Sequence, residues 1–392
     1  MDYQDIATAG QLSDFCRYLA ECDSIAIDTE FVSEHSYRPE LCLVQVSAGG
    51  QLAVIDPQTV GDLRPFWESL ADGNHETIVH AGRGELEFCL QYAGRLPRRL
   101  FDVQIAAGLV GIEYPAGFGT LTSRILGVSS PKHETRTDWR RRPLSKRQVE
   151  YAVEDAYYLP PLRDKLHARL TELGRFEWLQ DEMEALREEI VRSMSNERWR
   201  RVSGNSGLDQ RSLAIVRELW KWRETEAQRR NQPARRVLRD DLIIELAKRQ
   251  TADPRRIGAL RGMERGDLAR RAGDLAASIQ RALSMPEEQC PPRTPRESTP
   301  QFAVLGQLLF AALGSICRQS QLAPNLVGGP SDIRDWIAGH LSTGPENRRP
   351  PQLACGWRAE FVGRLFEDLL DGKIALRIVD PKSDHPLALE NQ

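Results

Sequence analysis

The sequence predicts an α/β unit followed by two small all-α units, and three observations carry that expectation. Short apolar, β-branched runs alternate with helical patterns over residues 1–180, whereas Leu208 to Leu283 shows helical spacing without strand signals. Five prolines crowd Met285 to Pro300, ahead of a further helical stretch. At about 150 residues per domain, 392 residues suit two or three compact units.

Taken in order, Ser24 to Asp28, Leu41 to Val46, Leu52 to Ile55 and Thr77 to Val79 read as strands of one layered domain. Helical patterns cover Leu63 to Leu70, Glu85 to Ala93, Val103 to Val110 and, as one long element, Ser145 to Leu173. The expected boundaries are a first domain at 1–180, a connecting helix at 181–205 and a helical domain at 206–284. A Pro-rich linker at 285–300, a second helical domain at 301–380 and a loose tail at 381–392 complete the chain.

With 41% hydrophobic and 28% charged residues the chain falls outside the disordered, collagen-like and coiled-coil classes. No run approaches the ~20 consecutive apolar residues of a membrane span, and the N-terminus lacks the basic start of a signal peptide. The expectation is a cytoplasmic protein with no membrane partner. Seven scattered cysteines (Cys16, Cys22, Cys42, Cys89, Cys290, Cys317, Cys355), none in a C-x-x-C spacing, argue against a disulfide framework or a thiolate zinc site.

The formal net charge of -3 conceals two basic stretches. Arg192 to Arg239 holds 13 Lys/Arg against 5 Asp/Glu, and Arg136 to Arg147 holds six against Asp138 alone. They read either as a polyanion-binding surface or as a solvated charged face.

Chemistry concentrates in Ile25-Ala-Ile-Asp-Thr-Glu-Phe31. Residues i and i+2 of a strand share a face, so Asp28 and Glu30 bring two carboxylates together past an apolar stem. Such a pair repels unless a cation intervenes, and hard oxygen ligands suit Mg2+ or Mn2+. A strand end reaching solvent is the plainer alternative. In Glu150-Tyr-Ala-Val-Glu-Asp155 the i, i+4 spacing puts Tyr151 and Asp155 on one helical face, where a phenol could orient a water beside a carboxylate or simply border the core. Glu85 opens a helix after His80-Ala-Gly, a position that the helix dipole alone also favours for an acid. Arg136, Arg140 and Arg141 offer guanidinium groups for substrate phosphates, and Trp139 reads as core sooner than as a stacking platform.

Five strings in order, Asp28-Thr-Glu-Phe, His80-Ala-Gly to Glu85-Leu-Glu, Phe101-Asp-Val-Gln, Lys132 to Leu144 and Tyr151-Ala-Val-Glu-Asp155-Ala-Tyr-Tyr-Leu, together resemble ribonuclease D. That family belongs to the DEDD 3′→5′ exonucleases of the tyrosine branch. Leu208 to Leu283 resembles an HRDC domain, and the unit with Cys355-Gly-Trp-Arg358 is similar to the second helical domain of bacterial ribonuclease D. The resemblance implies a ribonuclease H-like α/β exonuclease domain, a mixed sheet flanked by helices, followed by two small all-α HRDC-type domains. It implies that Asp28, Glu30, Glu85 and Asp155 bind two divalent cations (Mg2+ or Mn2+), that Tyr151 positions the attacking water, and that no small-molecule cofactor is needed. It further implies release of nucleoside 5′-monophosphates from RNA, with tRNA precursors or other structured RNA as partners. One position departs from the family pattern: Glu85 stands where Asp is usual, one methylene longer, between Gly82 and Gly84, which relax the turn. Two further readings stand beside this one, a DNA 3′→5′ exonuclease and a non-catalytic RNA-binding protein in which Glu85 disables the metal pair.

Overall fold

The computed structural model describes residues 1–129, 137–193, 198–263, 266–293, 300–341, 350–383 and 386–391. Six strands, β1 (Gln4–Ile6), β2 (Ser24–Val32), β3 (Glu40–Ala48), β4 (Gln51–Ile55), β5 (Glu76–Val79) and β6 (Arg99–Asp102), form one mixed sheet in the order β1-β4-β3-β2-β5-β6. β3 runs antiparallel to both β2 and β4; the other neighbours are parallel. Alternation along β2 and β3 sends Ile25, Ile27, Val44 and Val46 to a face covered by the helices Ala9–Ala20, Arg64–Asp72 and Arg83–Ala93. The opposite face carries Leu43, packed with Val54 of β4 against Trp139, Ala152 and Val153.

Two edge strands and the first helix are among the elements of this domain that escape the sequence reading. β1 and β6 are three and four residues long at the two sheet edges, too short to display a period. The Ala9–Ala20 helix buries Leu12, Phe15 and Leu19 and is capped by Thr8, whose hydroxyl accepts from the Gln11 amide. The helix expected from Ser145 to Leu173 is two, Lys146–Tyr157 and Leu159–Glu172. Pro160 and Pro161 lack the amide hydrogens that would continue the first, and fit only the opening turn of the second. Ser145 and Gln148 close a reciprocal capping box at the start of the first helix, which fixes where it begins over the sheet.

Beyond the Phe176–Ser193 helix, Gln210–Arg230, Asp240–Arg249 and Ala272–Leu283 enclose a separate core that includes Leu213, Leu219, Ile243, Leu246 and Ile279. The opening of the expected linker is fastened to this unit: Cys290 is buried in its core, and Arg211 donates to the carbonyls of Ala282 and Met285 at 2.7 and 2.6 Å. Residues 294–299 of that linker lie outside the described residues.

The last unit contains the helices Pro300–Gln319, Pro330–Leu341 and Arg364–Leu370, but it is not purely helical. β7 (Ile374–Ile378) and β8 (Leu387–Asn391) form an antiparallel hairpin, and Gln319 donates to the Leu387 carbonyl at 3.2 Å. This corrects the expectation of a helical end and a loose tail: β7 is five residues after a tight turn, and its partner lies in a stretch without a helical or strand period. The helix Gln301–Gln319 has the length and mean composition to cross a membrane, although Gln307, Ser315 and Arg318 interrupt its apolar residues and no run of ~20 occurs. Its Leu309, Ala312, Leu313 and Cys317 are nonetheless fully buried. They join Leu162, Leu166 and Leu179 of the first domain in one continuous core.

Candidate active site

Asp28 and Glu30 project from β2 just before a register shift between Glu30 and Phe31. The Lys146–Tyr157 helix crosses the same sheet face and brings Tyr151 and Asp155 down onto them. Ligand oxygens of Asp28, Glu30 and Asp155 lie within 4.8 Å of one another, a spacing that one cation can bridge. Tyr151 faces Asp155 one helical turn away, close enough to perturb its carboxylate, and its ring lies 6.4 Å from that of Trp139.

The electrostatics are those of concentrated negative charge. Burial, then the charges of Asp155, Glu85 and Glu30, hold Asp28 well above the usual carboxylate range. Burial and then Asp155 push Glu30 up to about 8, and burial pushes Asp155 up to about 7 against the opposing Tyr151 hydroxyl. Tyr151 itself is raised, by burial first and then by Asp155.

Glu85 does not join the three. It opens the Arg83–Ala93 helix on the other sheet face, where it is 6% exposed and accepts a 2.6 Å hydrogen bond from the Thr29 hydroxyl. Thr29 alternates with Asp28 and Glu30, so it holds Glu85 from the far side of β2. Burial lifts Glu85 to about 7, the Thr29 bond opposing.

Asp102, at the end of β6 and within the Phe101-Asp-Val-Gln string, organises the turn that delivers Glu85, a role outside the expected site residues. Its carboxylate accepts from the amides of Ala81 at 3.1 Å and Gly82 at 2.9 Å, and it caps the Val103–Leu109 helix through the amide of Gln104 at 2.8 Å. Ala81 has φ of +51°, and a Cβ on Gly82 would lie 2.3 Å from the Val79 side chain, so the turn accepts glycine at that second position only. His80 hydrogen-bonds the Ala116 carbonyl at 2.9 Å. A carboxylate just before a helix and after an apolar strand is the legible signal for such a pin.

The arginines divide. Arg136 lies outside the described residues. Arg140 pairs with Asp138 at 2.9 Å, and Arg141 is exposed, 3.7 Å from the same carboxylate. Arg142 is structural, clamping Asp56 and the carbonyls of Trp139 and Cys42. Trp139 is 3% exposed and belongs to the core. In the first helical unit much of the basic excess is spent internally: Arg223 and Arg235 pair with Asp240, Arg229 and Arg230 with Glu226, and Lys221 with Glu218. Arg236 remains exposed beside Arg235 and Arg239.

Comparison with known proteins supplies the remaining link. Residues 3–171 match the 3′-5′ exonuclease family and residues 212–279 the HRDC domain. The chain is 35% identical to ribonuclease D of Acidiphilium cryptum over 378 residues, covering 95% of this chain and 94% of that protein. The chain belongs to the ribonuclease D family. The Escherichia coli ribonuclease D is 30% identical over 94% of this chain and 99% of its own. A crystal structure of the E. coli enzyme, described as an exoribonuclease involved in structured RNA processing, superposes with a TM-score of 0.83 at 29% identity, covering 95% and 99% of the two chains. As a family member the chain is a 3′→5′ exoribonuclease, a hydrolase that binds nucleic acid and depends on divalent metal. The residues present fit that dependence: enclosed, mutually repelling carboxylates are hard oxygen donors that a divalent cation neutralises.

Proposed function

We propose that Asp28, Glu30 and Asp155, joined by Glu85, hold two divalent cations, Mg2+ or Mn2+, and that the chain trims the 3′ ends of tRNA precursors or other structured RNA in the cytoplasm. The observation that carries this reading is the convergence of three carboxylates from β2 and one helix within 4.8 Å. The cations would supply charge neutralisation at the scissile phosphate and acidify a bound water. Tyr151, one helical turn from Asp155, would orient a water for attack on the terminal phosphodiester, releasing a nucleoside 5′-monophosphate and leaving the shortened chain with a 3′ hydroxyl. Arg140 and Arg141, with Arg136 beside them in sequence, bind phosphates upstream of the reacting bond. Glu85 would supply the fourth carboxylate on releasing the Thr29 hydroxyl.

The test is a 3′-tailed tRNA incubated with wild type, Asp28→Ala and Glu85→Asp in Mg2+ and in Mn2+, with mononucleotide release as the readout. Asp28→Ala is expected to lose roughly 10³-fold or more in rate. Glu85→Asp, which restores the usual family length, is expected to retain or raise activity. Wild-type rates in Asp28→Ala would overturn the site assignment.

A further inference from the structure

Gln45 sits on β3 directly opposite Asp28 in the β2–β3 register, and opposite Val54 on its other side. Facing residues of an antiparallel pair share a sheet face with Cβ atoms about 4.5–5.5 Å apart. The Gln45 amide therefore rises from the same floor as the Asp28 carboxylate. It is 0% exposed, and neither Nε2 nor Oε1 has a hydrogen-bond partner among the described residues.

An amide buried without partners costs about 1–3 kcal/mol, which an apolar residue of similar volume would avoid. The surroundings would accept one, since Leu43 and Val54 pack on the same face. Substrate cannot reach a side chain so enclosed, which leaves the neighbouring side chains of the same sheet face and buried water as its partners. The carboxylate opposite is the nearest acceptor that the register provides. A neutral donor also suits it better than Lys or Arg would: it stabilises the ionised carboxylate without adding a positive charge that competes with the metal.

We propose that Gln45 is a positioning residue for the cation site, its Nε2 donating to the Asp28 carboxylate and fixing which oxygens face the cation, with Oε1 left to accept from a buried water. The proposal rests on the reading of Asp28, Glu30 and Asp155 as cation ligands. Partners of this outer kind commonly contribute 10–100-fold in metal affinity.

Mn2+ titration calorimetry on the full chain, together with the melting temperature of chelated protein, tests it in wild type, Gln45→Met and Asp28→Asn. Gln45→Met is expected to melt at or above the wild-type temperature when chelated, because in the cation-free protein the amide has no partner and pairs with Asp28 only once cation binding ionises that carboxylate, yet to bind Mn2+ about 10-fold more weakly. Wild-type Mn2+ affinity in Gln45→Met overturns the Gln45 role while leaving the ligand assignment intact. Wild-type affinity in Asp28→Asn overturns the ligand assignment, and the Gln45 role with it. Should Gln45→Met not fold, a crystal structure of the wild type with Mn2+ decides: Nε2 within about 3.2 Å of an Asp28 oxygen is the expected result, and an amide still without that partner overturns the proposal.

Discussion

Asp28, Glu30 and Asp155 were legible in the sequence because two periodicities, i to i+2 on a strand and i to i+4 on a helix, decide which side chains share a face. What those periods could not give is the company each face keeps. Thr29 capturing Glu85 follows from a helix packed on β2 from elsewhere in the chain, and Gln45 facing Asp28 follows from the β2–β3 register. The charge state of the cluster leads to a prediction about pH. Glu30 is lifted to about 8 and Asp155 to about 7, against ordinary carboxylate values near about 4. Between about pH 4 and 8 this cluster thus holds more protons in the folded, chelated chain than in the unfolded one, and its contribution to stability falls as pH rises through that window, outweighing the opposite and smaller effect of His75 and His80, which burial shifts down. Divalent cation binds the ionised acids and opposes the fall. Melting curves in chelator should shift downward from pH 5 to pH 8, and the increment on adding Mg2+ should grow over the same range. A chelated protein that gains stability across that range would contradict the buried, repelling cluster.

Several elements showed their period: β2, β3 and β4 in β-branched runs, and the Arg83–Ala93 helix in its apolar spacing, whereas the twelve-residue Ala9–Ala20 helix went unread. Elements set by a few residues or by tertiary partners showed none. β6 is one of these, and it carries Asp102, so the turn that aims Glu85 depends on an element invisible to periodicity. The Asp102 carboxylate ties β6, the His80–Gly82 turn and the Val103–Leu109 helix into one joint through backbone amides. Removing it leaves several buried amide donors without a partner. Asp102→Ala should therefore cost about 3 kcal/mol of stability and lower the exonuclease rate, because the Arg83–Ala93 helix loses its anchor. Urea unfolding and mononucleotide release on the same preparation check both halves. An Asp102→Ala enzyme with unchanged midpoint and rate would show that the turn holds its shape without the pin.

Across the whole molecule the three units are not equivalent beads. The first helical unit keeps a core of its own and touches the exonuclease domain through polar contacts, Tyr37 to Glu224 at 3.1 Å and to Asn231 at 3.2 Å. The last unit instead shares its core with the exonuclease domain, a docking that no local pattern encodes because each apolar face is buried by a partner more than 100 residues away. Arg175 reinforces it, donating to the carbonyls of Leu109 at 2.8 Å and Gln321 at 2.7 Å, and Trp178 stacks on Trp357 with centroids 4.7 Å apart. At the centre Glu182 of the Phe176–Ser193 helix receives Trp357 Nε1 at 2.8 Å and a two-pronged bond from Arg358, whose guanidinium also donates to the carbonyls of Leu326 and Val327. Glu182 and Arg358 are both nearly buried, so removing one strands the other's charge, at about 3–5 kcal/mol. Two calorimetric transitions are expected for the wild type, one for the separate helical unit and one for the exonuclease domain melting together with the last unit. Glu182→Ala should lower the second by several degrees and leave the first in place. A mutant whose last unit melts alone, with the exonuclease transition unmoved, would show that the shared core does not couple them.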